Sequence, residues 1–570
     1  MYFASDMFNI LIVAEKYQTG FDEPKLHTLF LDKEISDINA IQTISRVNRT
    51  CKYKEECHIV DLSWHNVNVE NIREAFKKYC GINVSGFNPE QEALVVKMLY
   101  DRGTASGTAP RYLLLMGDCA WDNRMQSTAW RMFNPDDYLL CYESENSVSD
   151  TKSYVMEDYF GLMDDGEGGS LLKDKSDLGI GRFPVTSAAE AKILVDKSIL
   201  HMSNRYAGPW KNLVCFLGDD GDENEHMKYA DDVAERVIAQ NPEIEVKKIM
   251  WDTYKRVSTA KNNTYPEVTT LLKKYMNDGA LVMNYTGHAT TYTLSHEFVL
   301  NVEDFAATRG TNLPLWITAS CDVMPFDGQS TNIGETAVLN PSGGAVAFYG
   351  TTRTVYASQN LAMNRNFMKY LFSVDEKGQR RRVGDAIRLA KNAIISGGQE
   401  YSLQENKLQY ALLGDPALII APPTQHIEVD SINGVAPEEG ENIVLKAGGR
   451  VTVAGHVSDA SGSVIPAFQG ILTSRLYDNE ESITCLNNAG AKNAFSYMDR
   501  RNVLYHSQDS VRNGRFSLSF TVPVDINFSD LSGRLVFYAV NEDKTLDLQK
   551  VLLEPSFFCE TLGIQGRMDL

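Results

Sequence analysis

Short apolar runs, each closing on small or acidic residues, recur through the middle of the chain. Longer stretches with the amphipathic spacing of helices lie between them, such as Glu225–Gln240. Apolar runs of this length that alternate with helices are typical of buried strands in a mostly parallel sheet with helices on both faces. The runs are Arg111–Asp118, Gly179–Val185, Leu213–Asp222, Ala280–His288, Leu313–Cys321 and Ala345–Gly350.

Two of these runs end at residues that carry covalent chemistry in other enzymes. One ends at His288 and the next at Cys321, thirty-three positions further along the chain. That spacing fits one strand-helix-strand crossover, so we expect adjacent parallel strands whose carboxyl ends meet at one sheet edge. A thiol beside an imidazole is the minimum for a cysteine nucleophile with its base. A structural histidine and an inert cysteine are the alternative on pattern alone.

Such a site needs two further components. Backbone N–H groups must stabilise the oxyanion, and those of Gly287 and Cys321 are suitably positioned in the sequence. An acidic group must orient the imidazole. The acidic turn after the third apolar run favours Asp220 for this role, with Asp177 as the second choice.

Residues after the next strand are candidates for the substrate pocket. Arg353 and Tyr356 follow the run that ends at Gly350, and a structural role at the surface is an equal alternative for both. The acidic turns Asp164–Glu167 and Asp219–Glu223 carry oxygen ligands of the kind that calcium prefers, although solvated loops have the same composition. We therefore expect no required cofactor and consider a structural calcium ion.

The pattern changes to period-two alternation after about residue 423. Three runs show it clearly: Arg450–Val457, Gly514–Val522 and Gly533–Val540. Alternation with regular turns predicts an immunoglobulin-like β-sandwich over residues 424–545. The alternation is lost after Asn541, so residues 546–570 are expected to form an atypical tail.

Composition narrows the functional classes. The 570 residues carry a net charge of -20, which argues against a nucleic-acid binder, since phosphate contact needs a basic surface. No apolar run is long enough for a membrane-spanning helix. The nine cysteines are scattered without a CxxC pair, which indicates neither a disulfide framework nor a cysteine zinc site. No signal peptide is recognisable at the N-terminus, so the chain as written is expected in the cytoplasm.

The first 85 residues have a different character. Phe8–Ala14 and His27–Asp32 are predicted strands, and Asn39–Arg49 is helical in period with Arg46 and Arg49 on one face. This segment resembles the last motifs of a helicase, most closely the motor subunit of type I restriction enzymes. The chain has no GxxxxGK[ST] phosphate loop, so we interpret the segment as a partial RecA-like fragment without ATPase activity.

The central region resembles a known peptidase family. Thr286–His288 and Thr318–Cys321, in this order and spacing, are similar to the caspase-haemoglobinase fold and to the gingipain family of cysteine peptidases, in particular the type IX secretion sortases of Bacteroidetes. The similarity runs from about residue 88 to 540. Other matching blocks are Tyr112–Asp118, Glu157–Gly161, Gly179–Pro184, Asp219–Asp222 and Leu413–Ala417.

The resemblance implies roles and a biological task. Cys321 is implied as nucleophile, His288 as general base and acid, and an acid near Asp220 as the orienting group. The implied task is cleavage of C-terminal sorting domains from secreted protein substrates and transfer of the acyl group to a surface glycolipid. Partners would be outer-membrane secretion components at the outer-membrane surface. The alternatives are an inactive caspase-like binding module and a restriction or helicase fragment fusion.

These patterns predict a multidomain α/β protein. The expected order is a helicase-like segment, a caspase-like peptidase domain with two α/β subdomains, the sandwich and the tail. The predicted bounds are residues 1–85, 86–423 (subdomains 86–205 and 206–423), 424–545 and 546–570.

Overall fold

The computed structural model describes most of residues 89–558 and short stretches between residues 28 and 75. Its residues fall into two compact units, 1–110 and 111–570. Within the longer described range the gaps are residues 145–148, 150–151, 261, 397–404, 421, 424, 438–442, 460, 528–530, 545–546 and 554.

The first unit contains a parallel pair of strands and a long helix. These are β1 (Thr28–Leu31), β2 (His58–Asp61) and α1 (Pro89–Ser106). The predicted strand Phe8–Ala14 and the two arginines Arg46 and Arg49 lie outside the described residues.

The second unit is built on an eight-stranded sheet. In spatial order the strands are β3 (Tyr112–Met116), β4 (Gly179–Phe183), β14 (Tyr410–Leu413), β13 (Ala347–Thr351), β12 (Leu315–Ala319), β9 (Val282–Thr286), β5 (Leu213–Gly218) and β6 (Glu245–Met250). All neighbours are parallel except β13 and β14. The predicted mostly parallel sheet is confirmed, with β9 and β12 as adjacent strands near its centre.

Helices cover both faces of this sheet, as predicted. They are α2 (Ala188–Met202), α3 (Gly221–Gln240), α4 (Pro266–Asp278), α5 (Val302–Ala307), α6 (Ile333–Leu339), α7 (Ala357–Leu371) and α8 (Val383–Ser396). Alternate residues of each strand face opposite helical layers. On β5, Cys215 and Leu217 join the core shared with α2, α4, α5 and α6, whereas Val214 and Phe216 join the core shared with α3, α7 and α8. No helix in the described part of the chain is long and apolar enough to cross a bilayer.

A β-rich region follows the sheet. Its seven-stranded sheet has the order β21 (Val503–Val511), β18 (Gly470–Tyr477), β23 (Arg534–Asn541), β24 (Asp547–Leu553), β15 (Gln425–Ile432), β17 (Arg450–Ser458) and β22 (Arg515–Thr521). Burial alternates along β17 and β22 as predicted, whereas the first six residues of β23 are all buried; residues of all three strands join one core. The edge strands β21 and β22 approach each other, with Tyr505 stacked on Phe520 at 4.5 Å. The immunoglobulin-like topology stays a prediction.

Residues beyond 545 extend this sheet. The sequence assigned them to a tail because alternation is lost, but β24 pairs antiparallel with β23 and parallel with β15. Two neighbouring strands, and not the alternation of its own residues, position this segment. The remaining described strands form four two-stranded pairs. Three are antiparallel: β7 (Val257–Ser258) with β8 (Asn263–Thr264), β10 (Thr293–Leu294) with β11 (Leu300–Asn301), and β19 (Glu481–Thr484) with β20 (Ser496–Asp499). The pair of β16 (Ile443–Lys446) and β25 (Pro555–Phe558) is parallel.

A buried ion pair fixes the β3 side of the large sheet. The Arg182 guanidinium on β4 donates to both carboxylate oxygens of Glu157 at 3.1 Å. It also donates to the carbonyls of Gly117 at 2.6 Å and Leu140 at 2.7 Å. Burial raises the pKa of Glu157, which the charge of Arg182 opposes. The pair thus joins β4 to the loops after β3.

Removing one partner of this pair should destabilise the fold. We expect Glu157→Ala to lower the free energy of unfolding by about 3–5 kcal/mol, because it leaves a buried guanidinium uncompensated. The matched control is Asp196→Ala in the exposed pair with Lys192, where a change of about 0.5 kcal/mol or less is expected. Urea denaturation of the whole chain measures both. Equal effects of the two substitutions would contradict this account.

Candidate active site

The register of β9 and β12 brings His288 and Cys321 to the same level of the sheet. Thr286 lies opposite Ala319 in the parallel pair, and His288 and Cys321 each come two residues later. Neighbouring strands are about 4.8 Å apart. The two side chains therefore leave adjacent strands at one edge, as the sequence predicted. His288 keeps 30% of its side chain exposed, and Cys321 is half-buried.

Two other histidines surround the imidazole of His288. His296 stacks on it with ring centroids 4.3 Å apart and an interplanar angle of 15°. His226 meets it edge-on at 4.7 Å and 85°. Ring contacts on two sides restrict rotation of the His288 side chain. Neither His226 nor His296 was among the residues that the sequence predicted for the site.

Asp219 is the hydrogen-bonding centre of this edge. Its carboxylate accepts from the backbone N–H of His288 at 2.7 Å and from the hydroxyl of Tyr285 at 3.1 Å. The other oxygen accepts from the N–H of Gly221 at 3.0 Å and lies 2.5 Å from Nδ1 of His226. Burial alone raises the pKa of Asp219, but the hydrogen bond and charge of His226 outweigh it and hold that pKa below its usual value. Asp219 therefore stays ionised among its donors.

The carboxylate beside the His288 imidazole belongs to Asp222 and not to Asp220, the acid that the sequence favoured. Nε2 of His288 lies 3.4 Å from Oδ1 of Asp222. Asp220 points elsewhere: its carboxylate accepts from the hydroxyl of Tyr265 at 2.6 Å and lies 4.0 Å from the Arg256 guanidinium. Among the described residues, no hydrogen bond or ion pair joins Asp220 to His288.

Backbone conformation explains why Asp222, and not Asp220, faces the imidazole. Asp222 has a φ of 50°, and the two residues after it are also in the left-handed region. This bend turns the Asp222 side chain back towards the imidazole. Gly221 permits the close approach, because a Cβ at that position would lie 2.8 Å from Cδ2 of His288. Asp177, the second predicted acid, accepts from the backbone N–H of Met163 in a separate loop.

The Cys321 thiol is held by the backbone of Val355. Sγ lies 3.6 Å from the Val355 carbonyl oxygen and 3.5 Å from its nitrogen. Burial raises the pKa of the thiol, and the Val355 N–H only partly opposes it. The resting side chain is therefore a neutral thiol that needs a base.

Of the two predicted oxyanion donors, one is already engaged. The Gly287 N–H donates to the Ala319 carbonyl at 3.4 Å, because the β9–β12 ladder continues past the strand end. No acceptor for the Cys321 N–H is found in the described part of the chain. Cys321 thus stays the candidate donor, and Gly287 does not serve in this conformation.

Arg353 and Tyr356 have different surroundings. The Arg353 guanidinium is buried and pairs with both oxygens of Asp327, at 2.9 and 2.5 Å, and donates to Ser153 at 2.9 Å. Its role is structural, and it does not line an open pocket. Tyr356 is 53% exposed directly after Val355. It stays a candidate for substrate contact.

The two turns that the sequence predicted as calcium sites differ in the ligands that they bring together. Carboxylates of Asp164, Glu167 and Asp177 lie within 4.8 Å of one another, an all-oxygen set that fits a hard cation. In the turn Asp219–Glu223, the acids instead have separate partners, including imidazoles. Calcium binding stays a prediction at both turns. The ligand set supports it at Asp164–Glu167, whereas the turn Asp219–Glu223 has no oxygen-only cluster among the described residues.

Comparison with known proteins assigns the family. A model of peptidase family C25 matches residues 32–421. The chain belongs to this family. It is a cysteine-type peptidase by that membership.

Two solved structures are among those similar to this chain. The Arg-specific cysteine proteinase gingipain R is 13% identical with a TM-score of 0.47, and the match covers 95% of this chain and 99% of that one. Dimeric latent PorU from Porphyromonas gingivalis is 22% identical with a TM-score of 0.37, covering 93% of this chain and 43% of that one. A curated relative, the putative type I restriction enzyme MjaVIIIP endonuclease subunit of Methanocaldococcus jannaschii, is 39% identical over 70 residues. That match spans 12% of this chain and 7% of the relative.

The structure predicts a pH-dependent contribution from Asp220. Burial is the main cause that raises its pKa to about 6, from 3.8. The folded protein therefore holds this proton at pH values where the unfolded chain has lost it, so the stability contributed by Asp220 falls as pH rises from about 4 to about 6.

We expect Asp220→Asn to remove this titration. Relative to the wild type, the free energy of unfolding of the variant should increase across that interval and then level off. Chemical denaturation of both proteins at several pH values measures the difference. A constant difference between them would contradict the assignment.

Proposed function

We propose that the chain is an endopeptidase in which Cys321 is the nucleophile and His288 is the general base and acid. The observation that carries the proposal is the β9–β12 register, which brings a half-buried thiol and a ring-stacked imidazole to the same sheet edge. Asp222 is proposed as the group that orients the imidazole. Asp219 is proposed as a positioning residue, because it holds the backbone of His288.

The proposed reaction has two steps. His288 accepts the Cys321 proton as Sγ attacks the substrate carbonyl carbon, and the Cys321 N–H donates to the oxyanion. Collapse of this intermediate breaks the C–N bond, and His288 returns the proton to the leaving amine. Because Nε2 faces Asp222, Nδ1 is left for this proton transfer. The resulting thioester is then attacked by water or by another amine, and the thiol is released.

We further propose that the substrates are type IX secreted proteins with a C-terminal sorting domain. The amine of a surface glycolipid is the proposed acceptor, and outer-membrane secretion components are the proposed partners, so the site of action is the outer-membrane surface. The support is the collinear sequence resemblance between about residues 88 and 540. We also propose that residues 1–85 are a fragment of restriction-enzyme origin, for which the 39% identity over 70 residues is the support. The missing phosphate loop is the reason to propose no ATPase activity for it.

Alkylation separates an active peptidase from an inactive binding module. Among the described free cysteines, Cys321 is half-buried and the other four are buried, so exposure alone favours its labelling by iodoacetamide. Dependence on the base is therefore the decisive readout. We expect His288→Ala to slow alkylation of Cys321 by about 100-fold at neutral pH.

Two matched aspartate variants refine this test. Asp222→Asn should slow alkylation, whereas Asp220→Asn should leave it near the wild-type rate. Peptide mass mapping of the labelled protein locates the modified cysteine. An unchanged rate in His288→Ala favours the inactive binding module and contradicts the proposed role of the imidazole.

Transfer is tested by the fate of the thioester. When the protein cleaves a substrate carrying a C-terminal sorting domain in the presence of glycine ethyl ester, we expect a product whose new C-terminus is joined to the amine. Mass spectrometry distinguishes this amide from the free carboxylate. Hydrolysis product alone, at rising amine concentration, would support a protease without transpeptidase activity. Cys321→Ser is the control that should give neither product.

A further inference from the structure

Three side chains at the candidate site converge without making close hydrogen bonds to one another. Nε2 of His226 lies 3.5 Å from one carboxylate oxygen of Asp222, and Nε2 of His288 lies 3.4 Å from the other. All three ligand atoms lie within 4.8 Å of one another. Good N–H···O hydrogen bonds measure about 2.9 Å, so these separations are longer than the contacts of a relaxed network.

The two nitrogen-to-oxygen separations have the length of the edges of a zinc coordination polyhedron. Nitrogen and oxygen ligands lie about 2.0–2.2 Å from zinc, which places ligands of a tetrahedral site about 3.3–3.6 Å apart. Two imidazoles and one carboxylate form a ligand set that suits zinc and disfavours calcium. We propose that His226, Asp222 and His288 bind one zinc ion, which reversibly blocks the imidazole of His288.

A second observation concerns the ring of His226. Metal-binding histidines usually donate their other ring N–H to a carboxylate, which fixes the tautomer. Nδ1 of His226 has this partner in Asp219, at 2.5 Å, and the pair is buried. With Nδ1 donating to Asp219, the neutral ring has its lone pair on Nε2, the nitrogen that lies 3.5 Å from Asp222. The supporting shell of a zinc ligand is therefore built into the fold.

Backbone strain and exposure complete the argument. Asp222, Glu223 and Asn224 all have positive φ, a conformation that costs energy in residues other than glycine and is concentrated at functional sites. That bend supplies the carboxylate. Asp222 is 52% exposed and His288 30% exposed, so an ion can reach the cluster from solvent. Three protein ligands leave a fourth position open, as in exchangeable zinc sites.

Inhibition follows from the proposed function, whereas zinc binding does not depend on it. A metal on Nε2 holds the ring and takes up the Asp222 carboxylate. The imidazole then has no lone pair for the thiol proton, because Nε2 binds the metal and the proton of the neutral ring is on Nδ1. Removal of zinc by a chelator restores the base.

Zinc binding is measured with Cys321→Ser protein, which excludes the thiol as a ligand. Competition with a chromophoric zinc chelator should give one ion per chain. We expect His226→Gln and Asp222→Asn each to weaken binding by about tenfold or more. The matched control is His506→Gln, an exposed histidine on β21, which should keep the affinity. Asp222→Asn is included because its side chain is half exposed and its loss removes no core contact.

The outcomes separate the two proposals. No bound zinc, or equal affinity in His226→Gln, Asp222→Asn and the control, overturns the zinc site whatever the alkylation results. Zinc binding in a protein whose Cys321 alkylation does not depend on His288 overturns the proposed function alone. If both proposals hold, zinc slows alkylation of the wild type, EDTA reverses the effect, and His226→Gln is insensitive to the same zinc concentration. A four-coordinate Co²⁺ absorption spectrum provides a readout independent of activity.

Discussion

A buried carboxylate needs hydrogen bonds on every side, and the candidate site depends on one such group, Asp219. Its donors come from the end of β9, from the turn before α3 and from α3 itself. Each would be costly to leave unpaired in the interior. These bonds fix His288 and His226 relative to each other before any substrate is bound. The geometry of the imidazole is therefore set by the fold of the sheet edge.

Two buried arginines hold the surrounding loops in place through hydrogen bonds and ion pairs. Arg353 joins the segment after β13 to Asp327, and its carbonyl accepts from the N–H of Asp322, next to the nucleophile. At the β3 side of the sheet, Arg182 holds the loop after β3 by donating to the carbonyl of Gly117. Both guanidiniums are compensated by carboxylates and carbonyls, as buried charges must be. The loop bearing Cys321 is thus anchored by charge pairing as well as by the strand before it.

The candidate zinc cluster and the proposed orienting role of Asp222 share one cause. The left-handed bend at Asp222 directs a carboxylate between two imidazoles, where it can pair with a protonated ring or with a metal ion. In the two proposals, the same residues connect peptidase activity to the binding of zinc from solution. Asp220, two residues earlier, is excluded from both roles by its hydrogen bond to Tyr265.

The apolar runs were sufficient to predict six of the eight strands of the large sheet, their alternation with helices and the edge shared by His288 and Cys321, because burial of a parallel strand leaves a continuous apolar signature. They did not predict β6 or β14. They also indicated β17, β22 and β23 through period-two alternation. The signal failed for β24, whose position depends on the strands on either side of it.

Which acid faces the imidazole was decided only in three dimensions. Four acids in the turn Asp219–Glu223 look equivalent along the chain, and a single bend in φ distributes them to different partners. The same holds for Arg353, which the sequence could place after a strand but not inside an ion pair with Asp327. The sequence by itself determined the elements and the chemistry available at their ends. The tertiary structure alone decided which side chains meet, because such contacts join residues far apart in the chain and depend on backbone angles that no periodicity records.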